Sequence, residues 1–219
     1  VVDTLQFYID YLIDGRYRLE DVYGMSPFKI KIEKDKPQIL AKLIRVEAIS
    51  KDRVRVSFDY DKTNNNRLII YTEDIQGKGT GNLFSNYTST EKSFSKEFAV
   101  GEKINLEFMN FTINATRDLT PGEYNYIRFN HFDGTVARYR NVRVTDVTKG
   151  ASILRLQQEG PNKNRIVDYL NASVKVLEKD KKEQKIAYAK NTKEYIDNLF
   201  EKESDSLKNI EQAISRYKL

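Results

Sequence analysis

Between Ile153 and Leu177 the chain reads ILRLQQEGPNKNRIVDYLNASVKVL, and within that run, at Gly160-Pro161, a two-residue alternation gives way to a helical repeat. Side chains on a strand alternate between two faces, whereas those on a helix return to one face every three or four residues, so a change of period is a change of element. Upstream lie short strand-like segments separated by turn residues; downstream almost everything is charged, amphipathic helix. The junction divides the chain into a β-rich body and a helical arm. An arm whose apolar stripe cannot bury itself needs partners, which points to assembly more than to catalysis.

The body announces itself by alternation. FKIKIE (28–33), AKLIRVEAIS (41–50), DRVRVSFDY (52–60), RLIIYT (67–72), SFSKEFAV (93–100), INLEFMNFTIN (104–114), EYNYIRFN (123–130) and TVARYRNVRV (135–144) combine a period of two with β-branched and aromatic residues. Asp133-Gly134, between the last two, predicts a tight hairpin. The first stretch, with Val2, Leu5, Tyr8 and Ile9 at helical spacing and a turn at Asp14-Gly15, reads as a helix end feeding a strand. Asp61 to Lys92, apart from RLIIYT, is rich in Asn, Gly, Ser and Thr, and its second half reads as a mobile surface loop. The expected fold is therefore α+β, with an antiparallel β-sandwich body of jelly-roll type and a C-terminal amphipathic helical arm. Its expected parts are 1–24 (helix end and connecting strand), 25–148 (sandwich) and 149–219 (a strand, then the helical or coiled-coil arm).

In the arm, Pro161 sits near a helix start, where its fixed φ is favourable. Ile166, Tyr169, Leu170, Val174 and Leu177 then share one face. The charged EKDKKEQK (178–185) contains no breaker, so the helix either continues through it or frays there. Ile196, Leu199 and Phe200 add further apolar positions. From Phe200 the steps to Glu203, Leu207, Ile210, Ile214 and Tyr217 are three, four, three, four and three, a coiled-coil-like seam with one acidic interruption. Ile166, Tyr169, Leu170, Ile196, Leu199, Phe200, Leu207, Ile210 and Ile214 are the candidate helix-packing and oligomerisation residues.

Composition narrows the chemistry. The 219 residues contain no cysteine, which removes disulfides, thiolate metal sites and cysteine nucleophiles together. The 37 basic and 32 acidic residues leave a net charge of only +5, and no basic block resembles a nucleic-acid arm. No apolar run reaches the ~18 residues of a membrane span, and the start at Val1-Val2-Asp3 carries neither an initiator Met nor a signal pattern, so the chain reads as an excised piece.

Motif-like fragments have plainer readings. Asp59 to Asn65 begins like a calcium loop, but Asn64 and Ile70 stand where a Gly and a bidentate Glu are required. Gly77-Lys78-Gly79-Thr80-Gly81 lacks the spacing and the strand-to-helix setting of a phosphate loop. His131, the only histidine, reads as a hairpin-tip residue without convergent partners for acid-base work or metal ligation. No carboxylate pair is marked for glycoside chemistry, and no catalytic residue, cofactor or metal ligand is assigned. The triplets at Asn86, Asn110, Asn114 and Asn171 match the N-glycosylation pattern, and TVARYRNVRV offers aromatic and Arg residues suited to stacking on sugars or to ordinary cross-strand packing.

The junction and the helix after it resemble the periplasmic segment of the Wzz/Wzc polysaccharide co-polymerases, in the form typical of Bacteroidetes tyrosine autokinases. Gly160, Asn162, Arg165, Asp168, Tyr169, Leu170 and Asn171 match a first family pattern. Ala189, Asn191, Thr192, Tyr195, Ile196 and Asp197 match a second, with Ser206 and Leu207 following. VVDTLQFYIDYLIDGRYRLEDVYGMSPFKI is similar to the family's helix end, strand and "E-V/L-Y-x-x-x-P-F" passage, except that Asp21 intervenes between Glu20 and Val22. The resemblance implies the periplasmic portion of a bacterial inner-membrane protein, joined to the membrane only through flanking helices outside this chain. It implies a homo-oligomer that works with a polysaccharide polymerase and export machinery, contacts the glycan polymer or leaves that to others, and sets the length and export of capsular, exopolysaccharide or O-antigen chains. The family's α/β beginning, its membrane helices and the nucleotide motif of its kinase branch are not in this sequence, so no kinase activity is expected of it. A carbohydrate-binding or adhesion module on a helical stalk is the alternative, and a glycan-cleaving enzyme with two facing carboxylates is a third.

Overall fold

The computed structural model describes residues 1–60, 66–73, 79–148 and 153–217. It is α+β, with a β-rich body of antiparallel strands in several sheets and a long C-terminal helix. Two compact units result, Val1–Leu170 and Asn171–Leu219.

The largest sheet in the first unit has six strands in the order β2 (Leu19–Asp21), β1 (Ile9–Asp14), β12 (Tyr124–Phe129), β5 (Ile44–Ala48), β6 (Arg53–Asp59) and β9 (Ser93–Ala99). A second places β11 (Met109–Ala115) between β10 (Lys103–Leu106) and β3 (Phe28–Ile32), and a third places β7 (Asn66–Glu73) between β4 (Gln38–Ile39) and β8 (Gly79–Tyr87). The alternation read from the sequence is the burial pattern observed: Phe28, Ile30 and Ile32 of β3, Ile44, Val46 and Ala48 of β5, and Val54, Val56 and Phe58 of β6 all face inward. They join Phe7, Tyr8, Tyr71, Phe111 and Phe129 in one apolar cluster. At one end Phe108 gathers Phe58, Tyr60, Tyr87 and Phe94, with ring centroids 4.7–6.0 Å away. One buried side chain imitates a ladder: Gln38 donates from Nε2 to the Asn110 carbonyl at 2.6 Å and accepts the Asn110 N–H at 3.0 Å. The Asn110 side chain in turn holds the carbonyls of Pro37 and Leu106. At 2% exposure Asn110 is a core residue, whatever its triplet suggests.

Several expectations are corrected. Val1 to Tyr8 form turns rather than a helix end, because Gln6 adopts φ 51°, incompatible with a right-handed helix, and Phe7, Tyr8 and Ile9 enter the core as the strand begins. The 104–114 segment is a hairpin, β10 and β11, turning at Glu107-Phe108. Residues 79–87 are not loop but β8, eight of whose residues pair with β7. The first half of the expected strand at 135–144 belongs to helix α1 (Phe132–Tyr139), whose inward residues, Phe132, Thr135 and Tyr139, have helical spacing that wins over the alternation. Asp133-Gly134 therefore lies in a helix turn, and His131 precedes the helix, its carbonyl accepting from Thr135 N and Oγ1. Gly81 of β8 lies directly against α1; an added Cβ would lie 2.5 Å from Phe132 Cβ.

After α1, β13 (Arg143–Asp146) pairs with β14 (Leu154–Gln157), and the alternation ends before Gly160 as read. Helix α2 (Lys163–Tyr217) then runs unbroken through the charged 178–185 segment. Its first turns, to Leu170, belong to the first unit, and its remainder is the second. Residues 61–65, 77 and 78, which carry most of the calcium-like and part of the glycine-rich runs, lie outside the described residues.

Candidate functional site

The most organised polar constellation of the first unit is the root of α2. Asn162 caps it: its Oδ1 accepts the backbone N–H of Asn164 (2.9 Å) and of Arg165 (3.2 Å), two donors that a helix start otherwise leaves unpaired. The same side chain donates from Nδ2 to the Asp21 carbonyl at 2.8 Å, so the cap is also a tether to β2. Gly160 lies close just upstream: an added Cβ would lie 2.8 Å from Ile166 Cδ1, so the Ile166 side chain would have to shift.

Arg165 is 2% exposed and is held on every edge of its guanidinium. Nε donates to Asp21 Oδ2 at 2.7 Å, Nη1 to the Phe7 carbonyl at 3.2 Å and Nη2 to the Ile9 carbonyl at 2.8 Å, with Asp10 Oδ1 at 3.6 Å. The planar group also contacts two aromatic faces, 5.1 Å from the Phe7 centroid and 4.6 Å from that of Tyr23. A planar fork with five donors suits such a set; an ammonium does not. Asp10 is shared with Arg128, at 2.7 Å, so the buried charges compensate one another. Tyr23 donates from its hydroxyl to Asp168 Oδ2 at 3.1 Å, and burial first, then the Asp168 carboxylate, push the phenol well above its ordinary range. Ile166 and Tyr169 pack on the core, Tyr169 lying 5.2 Å from the Tyr139 ring. Leu170 is half-buried beside a shallow groove that it lines with Arg138 and Leu156.

Of the residues selected from sequence, Gly160, Asn162, Ile166, Asp168, Tyr169 and Leu170 thus converge at the root, together with Arg165. Asn171, Asn191, Thr192 and Asp197 do not; they belong to the second unit and are exposed, with Thr192 Oγ1 donating to the Tyr188 carbonyl four residues back. Sequence reasoning missed the receiving half of the joint, Phe7, Asp10, Asp21 and Tyr23. Asp21 had been noted only as an interruption of a pattern, and it is the principal partner of Arg165. The available signal was the mismatch of an arginine on the apolar face of a capped helix, which obliges an acid elsewhere.

The second unit carries the stripe. Ile196, Leu199, Phe200, Leu207, Ile210 and Ile214 are all exposed, Phe200 at 77% and Leu207 at 59%. Intrahelical ion pairs such as Lys179–Glu183 (3.8 Å) are too exposed to stabilise it appreciably. Among the described residues no helix is long and apolar enough to cross a membrane, and no three acidic or His side chains gather in a way that could hold a metal ion. Chemically the root is a joint: each carboxylate in it already answers a cation or a phenol.

No protein-family model matches the chain, and no curated protein matches it.

Proposed function

We propose that this chain is the non-catalytic periplasmic part of an inner-membrane polysaccharide co-polymerase, which self-associates through its C-terminal helix and regulates the length and export of a capsular, exopolysaccharide or O-antigen polymer. The observation that carries this reading is the exposed stripe of Ile196, Leu199, Phe200, Leu207, Ile210 and Ile214, spaced at steps of three and four with one acidic interruption at Glu203. At ~1.5 Å per residue, residues 171–217 make a helix about 70 Å long, and a helix of that length with so mixed a surface gains little from its own ion pairs. Seating the stripe against equivalent helices of other copies removes it from water and closes a symmetric assembly. The root supports the same reading. Of the residues that resemble the family's first pattern, Asn162, Arg165, Asp168 and Tyr169 fix the helix start to the body, which is what a protein working through relative placement of helices requires.

The test is light scattering on this chain and on a longer form with both periplasmic ends restored. A large, closed assembly of the longer form that is lost on Leu207→Asp or Ile210→Asp supports the proposal. Monomers of both forms in a membrane mimetic, with tight glycan binding by the body, would put an adhesion module on a stalk in its place.

A further inference from the structure

Beside the helix root a cavity of about 330 Å³ opens between the turn that precedes β1, the loop after β2, β3 and the first turns of α2. We propose that this cavity binds one or two rings of a neutral sugar. Its size lies at the lower end of the ~300–1,000 Å³ typical of ligand sites, room for a terminal or short saccharide and not for a polymer threaded through. Of the three aromatic residues at its lining, Phe28 and Tyr11 are buried at 2% and 8% exposure and form its floor, while the half-buried Tyr23 ring is the one that can accept the C–H face of a pyranose. Ser26 and Thr116 add hydroxyls.

One group marks the cavity as more than packing leftover. Tyr11 is 8% exposed, and its oxygen accepts the Ile30 N–H at 2.9 Å. Among the described residues its own O–H proton is donated to none. A buried donor left unused costs free energy unless a water or a ligand oxygen receives it. The charge balance then selects the ligand class. Lys29 and Asp168 are the two charged lining residues and oppose each other, so an anion finds no net attraction. The single carboxylate already accepts from Tyr23, so a divalent cation finds too few oxygens. A purely apolar ligand would leave the Tyr11 proton stranded. A neutral, hydroxyl-rich ring satisfies all three conditions; the choice of a sugar among such molecules rests on the polysaccharide role proposed above. Because Asp168 of α2 and Tyr23 of the loop after β2 both line it, a bound sugar contacts both members of the joint and stabilises it.

The experiment titrates the full ¹⁵N-labelled chain with glucose, galactose, N-acetylglucosamine and lactose, with inorganic phosphate and calcium chloride as contrasting probes. Saturable amide shifts at Tyr23, Gly24, Ser26, Lys29 and Thr116 with a sugar, weakened about tenfold in Tyr11→Phe, are expected. Since Tyr11→Phe also removes the acceptor for Ile30, Lys29→Trp serves as a second variant: at an exposed position on the lining it blocks entry and abolishes the shifts without touching the core. Absence of saturable shifts with every sugar, or equal shifts from phosphate or calcium, overturns the inference. Assembly of the longer form without sugar shifts overturns the cavity alone; sugar shifts in a chain that never assembles overturn the co-polymerase reading alone.

Discussion

Replacing Arg165 with Met is the sharpest probe of the joint, because it removes charge and hydrogen bonding while keeping length and apolar bulk. Three hydrogen bonds disappear, to Asp21 and to the carbonyls of Phe7 and Ile9. At ~1.5–3 kcal/mol for each bond to a charged group the simple total would exceed about 4 kcal/mol. Two effects reduce it: Asp10 keeps Arg128 at 2.7 Å, and Asp21 keeps the Tyr23 N–H at 2.9 Å. Removing one member of a buried ion pair costs about 3–5 kcal/mol, and that is the expected loss here. For a domain of this size it corresponds to a fall in Tm of about 6–20 °C. Urea unfolding followed by near-ultraviolet circular dichroism, a readout dominated by the tyrosines of the body, measures it directly. Arg165→Lys keeps the charge but not the fork and is expected to lose about 1.5–3 kcal/mol. In the double variant Arg165→Met with Asp21→Leu, no unpaired carboxylate remains beside the helix, so the two losses should overlap by about 1.5 kcal/mol or more. A stability within about 1 kcal/mol of the parent for Arg165→Met, or strict additivity in the cycle, would refute the assignment of this node as the principal fastening of the helix root.

Three further outcomes are expected. Asn110→Ala strips the partners from the Pro37 and Leu106 carbonyls in the core and should cost about 2 kcal/mol or more in urea unfolding. Gly81→Ala forces a methyl to within 2.5 Å of Phe132 Cβ, so α1 must shift, at a cost of about 1–3 kcal/mol seen as a lower denaturation midpoint. Alkali should unfold the body cooperatively. Burial raises the phenols of Tyr8, Tyr11 and Tyr71 above their ordinary value of 10.0, so above that pH the unfolded chain releases protons that the folded chain retains. Stability is then whole below pH 10 and falls beyond it, by about 1.4 kcal/mol per pH unit for each phenol; tyrosinate absorbance that rises without loss of structure would contradict this.

What could be read from the sequence divides along physical lines. Strands β3, β5 and β6 were legible because each buries one face only, and FKIKI or RVRVSFD writes that asymmetry directly into the order of residues. The helix start was legible because the period changes at Gly160-Pro161 and Pro161 favours a helix start, both local signals; the cap supplied by Asn162 was not read. The failures arise where tertiary context decides. TVARYRNVRV alternates, yet Phe132, Thr135 and Tyr139 face the core at helical spacing, and Gly81 supplies the space that lets the helix approach. Residues 79–87 lack the usual strand formers at most positions, yet β7 offers a full antiparallel edge and ladder bonds compensate for weak propensity.

The joint is built from residues whose roles depend on partners far away in the chain. Asn162, Arg165 and Asp168 are polar residues on the first turns of a helix, where solvent exposure would be the default expectation. Arg165 is buried only because Asp21 and the carbonyls of Phe7 and Ile9, more than 140 residues earlier, complete its shell. Such a shell cannot be inferred from the helix alone, since each of its members is unremarkable in its own segment. Once assembled it is directional: the fork of Arg165 and the cap of Asn162 accept one seating of the helix against β2, and a rotation of a single residue step would place Arg165 against solvent and deprive Asp21 of its cation. Apolar packing by Ile166 and Tyr169 would tolerate several seatings, so the polar node, and not the hydrophobic contact around it, defines where the helix begins.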